Sequence, residues 1–143
     1  YPYTDKIFIN AKKSLSAVRT IRTMPYPGFP TDCQPIVMAV LCRANGSSMI
    51  VENIFENRFM AADELRRMGA DIKTEGRVAV IEGVNKLLGA KLRAADLRAG
   101  AALIVAALGA EGTSVISNVR YIDRGYENIE DELSAVGARI KRI

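Results

Sequence analysis

Two aspartates and three arginines in this sequence have positions that suit the binding of an anion. Asp32 and Asp96 each begin a predicted helix, and Arg58 and Arg124 each lie in a loop that follows a predicted strand. Arg98 lies one turn into the second long helix. Free backbone N–H groups at a helix start and guanidinium donors both favour phosphate or carboxylate. The pattern therefore predicts a shared anion site, with simple surface solvation as the alternative for any one arginine.

Each aspartate also has a structural interpretation. An aspartate at a helix start usually accepts a hydrogen bond from a free N–H group, and the sequence alone favours this capping role for both Asp32 and Asp96. A role for Asp32 as a general base conflicts with such a position. The helix N-terminus stabilises the carboxylate and lowers its pKa unless burial opposes the effect.

Residue types that the sequence lacks narrow the chemistry further. It has no His and only two cysteines, Cys33 and Cys42, whose spacing is not that of a metal site. Proton transfer must therefore use carboxylates, Lys, Tyr or Cys. Both cysteines lie on an apolar predicted helix, so we expect them to be inert core residues in a reducing, cytoplasmic setting.

Composition excludes several classes of protein. The 143 residues are 49% hydrophobic and 25% charged, which is typical of one soluble globular domain. The net charge of +4 is mild and no block of Lys or Arg occurs, so no nucleic-acid interface is predicted. The longest apolar run, residues 99–110, is shorter than the roughly 20 residues that a membrane helix needs.

The charged residues recur because the chain contains two copies of one pattern, at residues 31–72 and 95–140. Each copy has an acidic residue, an apolar run, a Gly turn, a β-rich run, an Arg, a polar-faced helix and a Gly-Ala ending. The matching pairs are Asp32 and Asp96, Gly46 and Gly112, Arg58 and Arg124, and Gly69 and Gly137. A repeat of this length predicts two supersecondary units that cover each other's apolar faces.

The predicted elements follow from hydrophobic periodicity and turn residues. Strands are predicted at residues 6–10, 16–23, 48–54, 71–74, 78–81, 90–93, 113–119 and 138–143. Helices are predicted at residues 32–44, 61–68 and 128–136, and a further helix has an apolar face from Leu97 to Leu108 and ends at Gly112. Thr31 is expected to cap the first of these helices, which should be buried nearly all round, and residues 71–81 should form a hairpin turning at Glu75-Gly76.

These elements predict an α/β fold of helix–strand–helix–strand units, with both helices on one side of small sheets. We divide the chain into residues 1–30, the end of a preceding repeat with a Pro-rich connector, and two repeat units at residues 31–94 and 95–143. All three are expected to belong to one partial domain.

Four motifs occur in an order that is recognisable: YPGFPTD at residues 26–32, FENRFM at 55–60, ADLRA at 95–99 and YIDRGYE at 121–127. Together they resemble the bacterial UDP-N-acetylglucosamine enolpyruvyl transferase family. The resemblance implies an inside-out α/β barrel domain of three similar units, of which this chain is the C-terminal part. It also implies transfer of the enolpyruvyl group of phosphoenolpyruvate to the 3-hydroxyl of UDP-N-acetylglucosamine, with release of phosphate, in peptidoglycan synthesis.

The resemblance also implies roles for individual residues. Asp32 matches the residue that binds the sugar hydroxyl and removes its proton, Ile54 a backbone contact to the sugar nucleotide, and Arg124 an arginine that binds phosphoenolpyruvate. Arg58, Asp96 and Arg98 match further charged residues of the cleft. No metal or cofactor is implied. The family's catalytic Lys and Cys lie outside this chain, so we expect the chain alone to be inactive, to need the missing N-terminal portion, and to be open to self-association.

Two other functions remain open at this point. The related 3-phosphoshikimate enolpyruvyl transferases are expected to share the fold, although the loops at residues 56–59 and 123–126 favour the sugar-nucleotide enzyme. A non-catalytic anion-binding module with the same fold is the alternative from a different class.

Overall fold

The structure is a computed structural model that describes residues 14–143 together with Phe8 and Asn10. It contains ten helices and strands within these residues. In chain order they are β1 (Thr20–Arg22), α1 (Gln34–Leu41), β2 (Ser47–Val51), α2 (Met60–Arg67), β3 (Asp71–Glu75), β4 (Val78–Glu82), β5 (Lys91–Arg93), α3 (Leu97–Leu108), β6 (Val115–Ser117) and α4 (Ile129–Ala135). Short 3₁₀ turns cover Thr31–Cys33 and Val119–Tyr121.

The strands form two small sheets, which confirms the predicted α/β class. The larger sheet has the order β1-β2-β4-β3, in which β1 and β2 are parallel and the other pairs are antiparallel. The smaller sheet pairs β5 with β6 in parallel. Each long helix therefore links two parallel strands, α1 between β1 and β2 and α3 between β5 and β6. Such a crossover brings both helix starts to the carboxyl ends of the preceding strands.

The two long helices pack against each other at the centre of the fold. One apolar cluster contains four fully buried residues from this contact: Met38 of α1, Cys42 directly after α1, and Ala102 and Leu103 of α3. Alanines predominate on the buried face of α3, and small side chains let two helix backbones approach closely. This contact fixes the start of α1 relative to the start of α3, which is where the predicted site residues lie.

Paired glycines explain why the repeat is visible in the sequence. Gly46 and Gly112 have φ values of 104° and 94°, and Gly69 and Gly137 have φ values of 91° and 97°. Residues with a Cβ rarely adopt this left-handed region, so each copy needs Gly at the same two turns. The two glycines of each pair that spacing matched therefore share one backbone conformation.

Several predicted elements have the expected positions. The helices predicted at residues 61–68 and 128–136 correspond to α2 and α4 within one residue at each end. The helix α3 has the predicted apolar face but ends at Leu108, earlier than the predicted end at Gly112. The hairpin is present, although its last pair is Glu75 with Val78, so its two turn residues are Gly76 and Arg77. Shorter strands replace the predictions at residues 16–23, 48–54, 90–93 and 113–119. The prediction for residues 6–10 lies outside the described residues, apart from Phe8 and Asn10.

Three predictions about local structure were wrong. Thr31 does not cap a helix, because its hydroxyl donates to Glu52 Oε2 at 2.9 Å and the chain first makes a 3₁₀ turn. Cys33 is exposed on that turn, whereas Cys42 is buried as expected. The first long helix is also less enclosed than predicted, since Val40 is 37% exposed.

The predicted strand at residues 138–143 is also wrong, because this segment has no regular structure. A strand needs a neighbouring edge with which to share backbone hydrogen bonds. Here Ala138 N donates to Leu133 O and closes the end of α4, while Arg142 pairs with Asp123 and Glu130. Side-chain ion pairs therefore hold this tail in place of a sheet ladder.

None of the helices in the described part of the chain combines the length and the apolar character needed to cross a bilayer.

Candidate active site

Asp32 lies between two arginines that come from different parts of the chain. Arg58 Nη2 donates to Asp32 Oδ1 at 2.9 Å, and Arg98 Nε donates to the same oxygen. Asp32 is on the 3₁₀ turn before α1, Arg58 is in the loop between β2 and α2, and Arg98 is the second residue of α3. The structure thus brings together three of the predicted residues, although the chain separates Asp32 from Arg98 by 66 positions.

This arrangement replaces the capping role that the sequence favoured for Asp32. Its carboxylate makes no cap hydrogen bond and instead pairs with the two guanidinium groups. The hydrogen bond from Arg98 holds the pKa of Asp32 below its usual range, partial burial opposes this shift, and the charge and hydrogen bond of Arg58 add to it. Asp32 is therefore a firmly ionised carboxylate and a weak base while both arginines hold it.

The cluster is open to solvent on the side of the aspartate. The side chain of Asp32 is 58% exposed and that of Arg98 is 37% exposed, whereas that of Arg58 is 14% exposed. Arg58 is also held by Phe55, whose ring centroid lies 4.9 Å below the guanidinium carbon. Two guanidinium groups and one carboxylate leave a net positive charge, and each guanidinium has N–H donors beyond those it gives to Asp32. The site therefore has N–H donors with which it can bind an anion.

Asp96 has the capping role that was predicted for it. Its Oδ1 accepts a hydrogen bond from Ala99 N at 2.7 Å, and its extended backbone is that of an N-cap residue. After the direct contact with Asp32, the negative charge of Asp96 contributes to the raised pKa of Arg98. Asp96 therefore fixes the start of α3 and helps to keep Arg98 charged.

Arg124 lies in an exposed loop and forms no ion pair among the described residues. The next residue, Gly125, packs so closely on α3 that an added Cβ would lie 2.8 Å from Leu97 Cδ2. This contact places the loop beside the first residue of α3, next to Arg98. On the other side of Arg124, Asp123 Oδ1 lies 2.8 Å from Arg142 Nη2. Arg124 is thus near the Asp32 cluster through its loop rather than by direct contact.

Ile54 lies in the loop after β2, and one of its two backbone polar groups is already hydrogen-bonded. Its N–H donates to Glu52 Oε1 at 2.8 Å, so that group is already satisfied. Its carbonyl oxygen accepts no hydrogen bond from any residue that the structure describes. The carbonyl is therefore the part of the Ile54 backbone that is available to a ligand.

Sequence reasoning missed Glu52, which is only 1% exposed and directly follows β2. Its carboxylate accepts hydrogen bonds from Thr23 Oγ1, Thr31 Oγ1, Ile54 N and Phe55 N at 2.7, 2.9, 2.8 and 3.1 Å. Strand alternation could have revealed it, because position 52 shares the buried face of Ser48 and Ile50. A carboxylate on a buried face needs hydrogen-bond donors around it.

Among the described residues, no three Cys, Asp or Glu side chains are grouped in a way that could hold a metal ion.

Curated relatives share this chain at high identity. It is 62% identical over 138 residues to a UDP-N-acetylglucosamine 1-carboxyvinyltransferase of Desulfofundulus thermocisternus, covering 96% of this chain and 56% of the relative. It is 58% identical over 139 residues to UDP-N-acetylglucosamine 1-carboxyvinyltransferase 2 of Caldanaerobacter subterraneus subsp. tengcongensis, covering 97% of this chain and 33% of the relative. The chain therefore spans between a third and rather more than half of the length of these two proteins.

Solved structures of similar fold agree with these relatives. The enolpyruvyl transferase NikO from Streptomyces tendae matches with a TM-score of 0.79 and 31% identity, covering 89% of this chain and 29% of that one. An EPSP synthase from Acinetobacter baumannii matches with a TM-score of 0.62 at 21% identity, covering 78% of this chain and 26% of that one, and shows likeness of fold alone.

The family model of EPSP synthase (3-phosphoshikimate 1-carboxyvinyltransferase) matches residues 3–133. This match covers most of the chain and confirms the membership among enolpyruvyl transferases that the four motifs indicated. The chain therefore belongs to the EPSP synthase (3-phosphoshikimate 1-carboxyvinyltransferase) family.

Proposed function

We propose that this chain is the C-terminal part of an enolpyruvyl transferase that moves the enolpyruvyl group of phosphoenolpyruvate to the 3-hydroxyl of UDP-N-acetylglucosamine and releases phosphate. The observation that carries the proposal is the Asp32 carboxylate held between Arg58 and Arg98 on an accessible surface. The names of the relatives, at 58% and 62% identity, support this acceptor sugar. The reaction belongs to peptidoglycan synthesis in the cytoplasm.

The arginines suit the donor substrate. Phosphoenolpyruvate carries a phosphate and a carboxylate, and guanidinium groups bind both through paired N–H donors. Arg98 and Arg58 supply such donors at the cluster, and Arg124 supplies more from the loop beside α3. Positioned cations of this kind stabilise the charge that develops when the donor reacts.

The same arginines explain how Asp32 can become a base. In the structure the hydrogen bond from Arg98 and the charges of both arginines keep the pKa of Asp32 low. An incoming anion competes for the guanidinium donors, which removes the stabilisation of the carboxylate and raises its pKa towards or above the ordinary value. Asp32 then takes the proton of the sugar hydroxyl as the oxygen bonds to the central carbon of phosphoenolpyruvate.

Balance of the reaction assigns the remaining steps. The methylene carbon of the donor gains a proton, giving a tetrahedral intermediate that carries both the sugar ether and the phosphate. Loss of a proton from that carbon and of phosphate restores the double bond on the product. The group that handles the carbon-bound proton lies, on this mechanism, in the rest of the complete protein, which is this chain's necessary partner.

Phosphate release by the purified complete protein tests the proposal. We expect release only when both substrates are present, and we expect Asp32→Asn to abolish most of it while the fold is retained. Unchanged turnover in Asp32→Asn would overturn the role proposed for Asp32, whereas no turnover in the unmodified protein would favour a non-catalytic module. The second candidate function, suggested by the name of the family model, is a 3-phosphoshikimate enolpyruvyl transferase. Calorimetry distinguishes the two, since tighter binding of shikimate 3-phosphate than of the sugar nucleotide would overturn the proposed acceptor.

A further inference from the structure

Glu52 joins the two segments that carry the Asp32 cluster. Its Oε2 accepts from the hydroxyl of Thr31, the residue directly before Asp32. Its Oε1 accepts from the backbone N–H groups of Ile54 and Phe55. The chain from Phe55 leads within three residues to Arg58, whose guanidinium group lies over the Phe55 ring.

The carboxylate is well suited to this task because it is fixed on every side. It is 1% exposed, and Thr23 Oγ1 adds a further hydrogen bond to Oε1 at 2.7 Å. Thr23 Oγ1 also accepts from Asn53 N at 2.8 Å, which ties the end of β1 to the same loop. Burial opposes the charge, but the hydrogen bonds from Thr23, Ile54, Phe55 and Thr31 outweigh it and lower the pKa of Glu52. A buried carboxylate with hydrogen bonds to both of its oxygens has little freedom to move.

We propose that Glu52 is a positioning residue for the reaction: its two oxygens set the distance between Asp32 and Arg58, and they aim the Ile54 carbonyl at the acceptor. This inference rests on the proposed function, because it assigns to Asp32 and Ile54 the roles given there. Glu52 touches neither substrate and acts only through the residues it holds.

Neutral and shortened side chains at position 52 test this assignment in the complete protein. Glu52→Gln keeps the shape but puts an NH₂ group where one oxygen accepts. The hydrogen bonds are then lost either to Thr31 (the arm towards Asp32) or to the backbone of Ile54 and Phe55 (the arm towards Arg58). We expect its kcat for phosphate release to fall by about tenfold or more, since small misplacement of reacting groups is costly. Glu52→Asp keeps the charge but cannot reach both arms, and we expect an intermediate loss.

Thr31 offers a matched pair of variants that leave the rest of the network intact. Thr31→Val removes only the hydrogen bond to Oε2, and we expect a fall in kcat. Thr31→Ser keeps the hydroxyl, and we expect it to retain the kcat of the unmodified protein. If Thr31→Val and Thr31→Ser have the same kcat, the arm towards Asp32 has no role in positioning and the inference is wrong.

A merely structural role would predict a different result in two controls. Ile81 is fully buried in β4 and pairs with Ser48, four residues before Glu52, so Ile81→Val lowers the melting temperature without touching Glu52. Combination with Asp32→Asn supplies the second control. Because part of the effect of Glu52 passes through Asp32, Glu52→Gln should slow the Asp32→Asn protein by a smaller factor than it slows the unmodified protein.

The outcomes separate failure of this inference from failure of the proposed function. An inactive unmodified protein, or one unaffected by Asp32→Asn, overturns the proposed function and the inference together. An active protein that depends on Asp32 but has an unchanged kcat in Glu52→Gln overturns the inference alone. So does a loss of kcat that Ile81→Val reproduces at equal melting temperature, or one that is undiminished in the Asp32→Asn background.

Discussion

The ion pair between Arg98 and Asp32 should matter far more for turnover than for stability. Both side chains are more than a third exposed, at 37% and 58%. Exposed pairs of this kind contribute about 0–1 kcal/mol, because water screens the charges and two long side chains lose freedom. Replacing Arg98 by Gln, which forms helices about as readily, should therefore lower the free energy of unfolding by about 1 kcal/mol or less.

Catalysis should respond on a larger scale. Removal of one preorganised donor that stabilises developing charge typically costs about 10²–10³-fold in kcat. We expect Arg98→Gln in the complete protein to lose activity in this range, measured as phosphate release with both substrates saturating, while thermal unfolding changes little. Lys86→Gln is a suitable control. Lys86 Nζ lies 3.0 Å from Glu111 Oε2, and this pair is also exposed but is not part of the Asp32 cluster.

Two results would refute this reasoning. A loss of more than about 3 kcal/mol in Arg98→Gln would be typical of a buried pair, and the cluster would then serve the fold rather than a ligand. A kcat close to that of Lys86→Gln, with a normal melting temperature, would mean that Arg98 does not contact the reacting anion.

Three further predictions address other parts of the structure. The pKa of Glu52 is lowered in the folded protein, so its ionised carboxylate stabilises the fold above the unfolded pKa of about 4.3, and this stabilisation is lost as pH falls through the folded pKa. The free energy of unfolding should therefore fall less steeply with acid in Glu52→Gln than in the unmodified protein. Burial raises the pKa of Cys42 to about 12, so iodoacetamide followed by mass spectrometry should label Cys33 in the native protein and Cys42 only after unfolding; equal labelling would contradict the fold around α1. Arg142→Ala frees Asp123 and Glu130 and should raise KM for phosphoenolpyruvate several-fold by loosening the loop of Arg124, whereas an unchanged KM would mean that the tail does not order that loop.

The parts of the fold that depend on local sequence could be predicted. Gly46 and Gly112 stand where the backbone needs positive φ, so the repeat was visible before the structure. The stop after α2 at Gly69 and the hairpin around Gly76 follow from the same property. The tail at residues 138–143 could not be predicted, because its alternating pattern suits a strand, whereas the ion pairs of Arg142 with Asp123 and Glu130 are contacts with distant residues.

The candidate site shows the same division. The residue types and junctions of Asp32, Arg58 and Arg98 predicted an anion site, and the structure places the three side chains in contact. The capping role of Asp96 was predictable because a cap is a local contact. Local reasoning failed for Asp32, since its partners come from 26 and 66 positions away. Tertiary contacts of this kind override the preference of Asp for a helix start.

The pKa of Asp32 in the complete protein tests the central claim most directly, because it reports whether an anionic substrate takes the guanidinium groups from the carboxylate. It can be measured by NMR titration of the carboxyl carbon, first in the empty site and then with saturating phosphoenolpyruvate and no acceptor sugar. We expect a value below the ordinary 3.8 in the empty site and a clear rise when the donor is bound. A pKa that stays low while phosphoenolpyruvate is demonstrably bound would contradict the account.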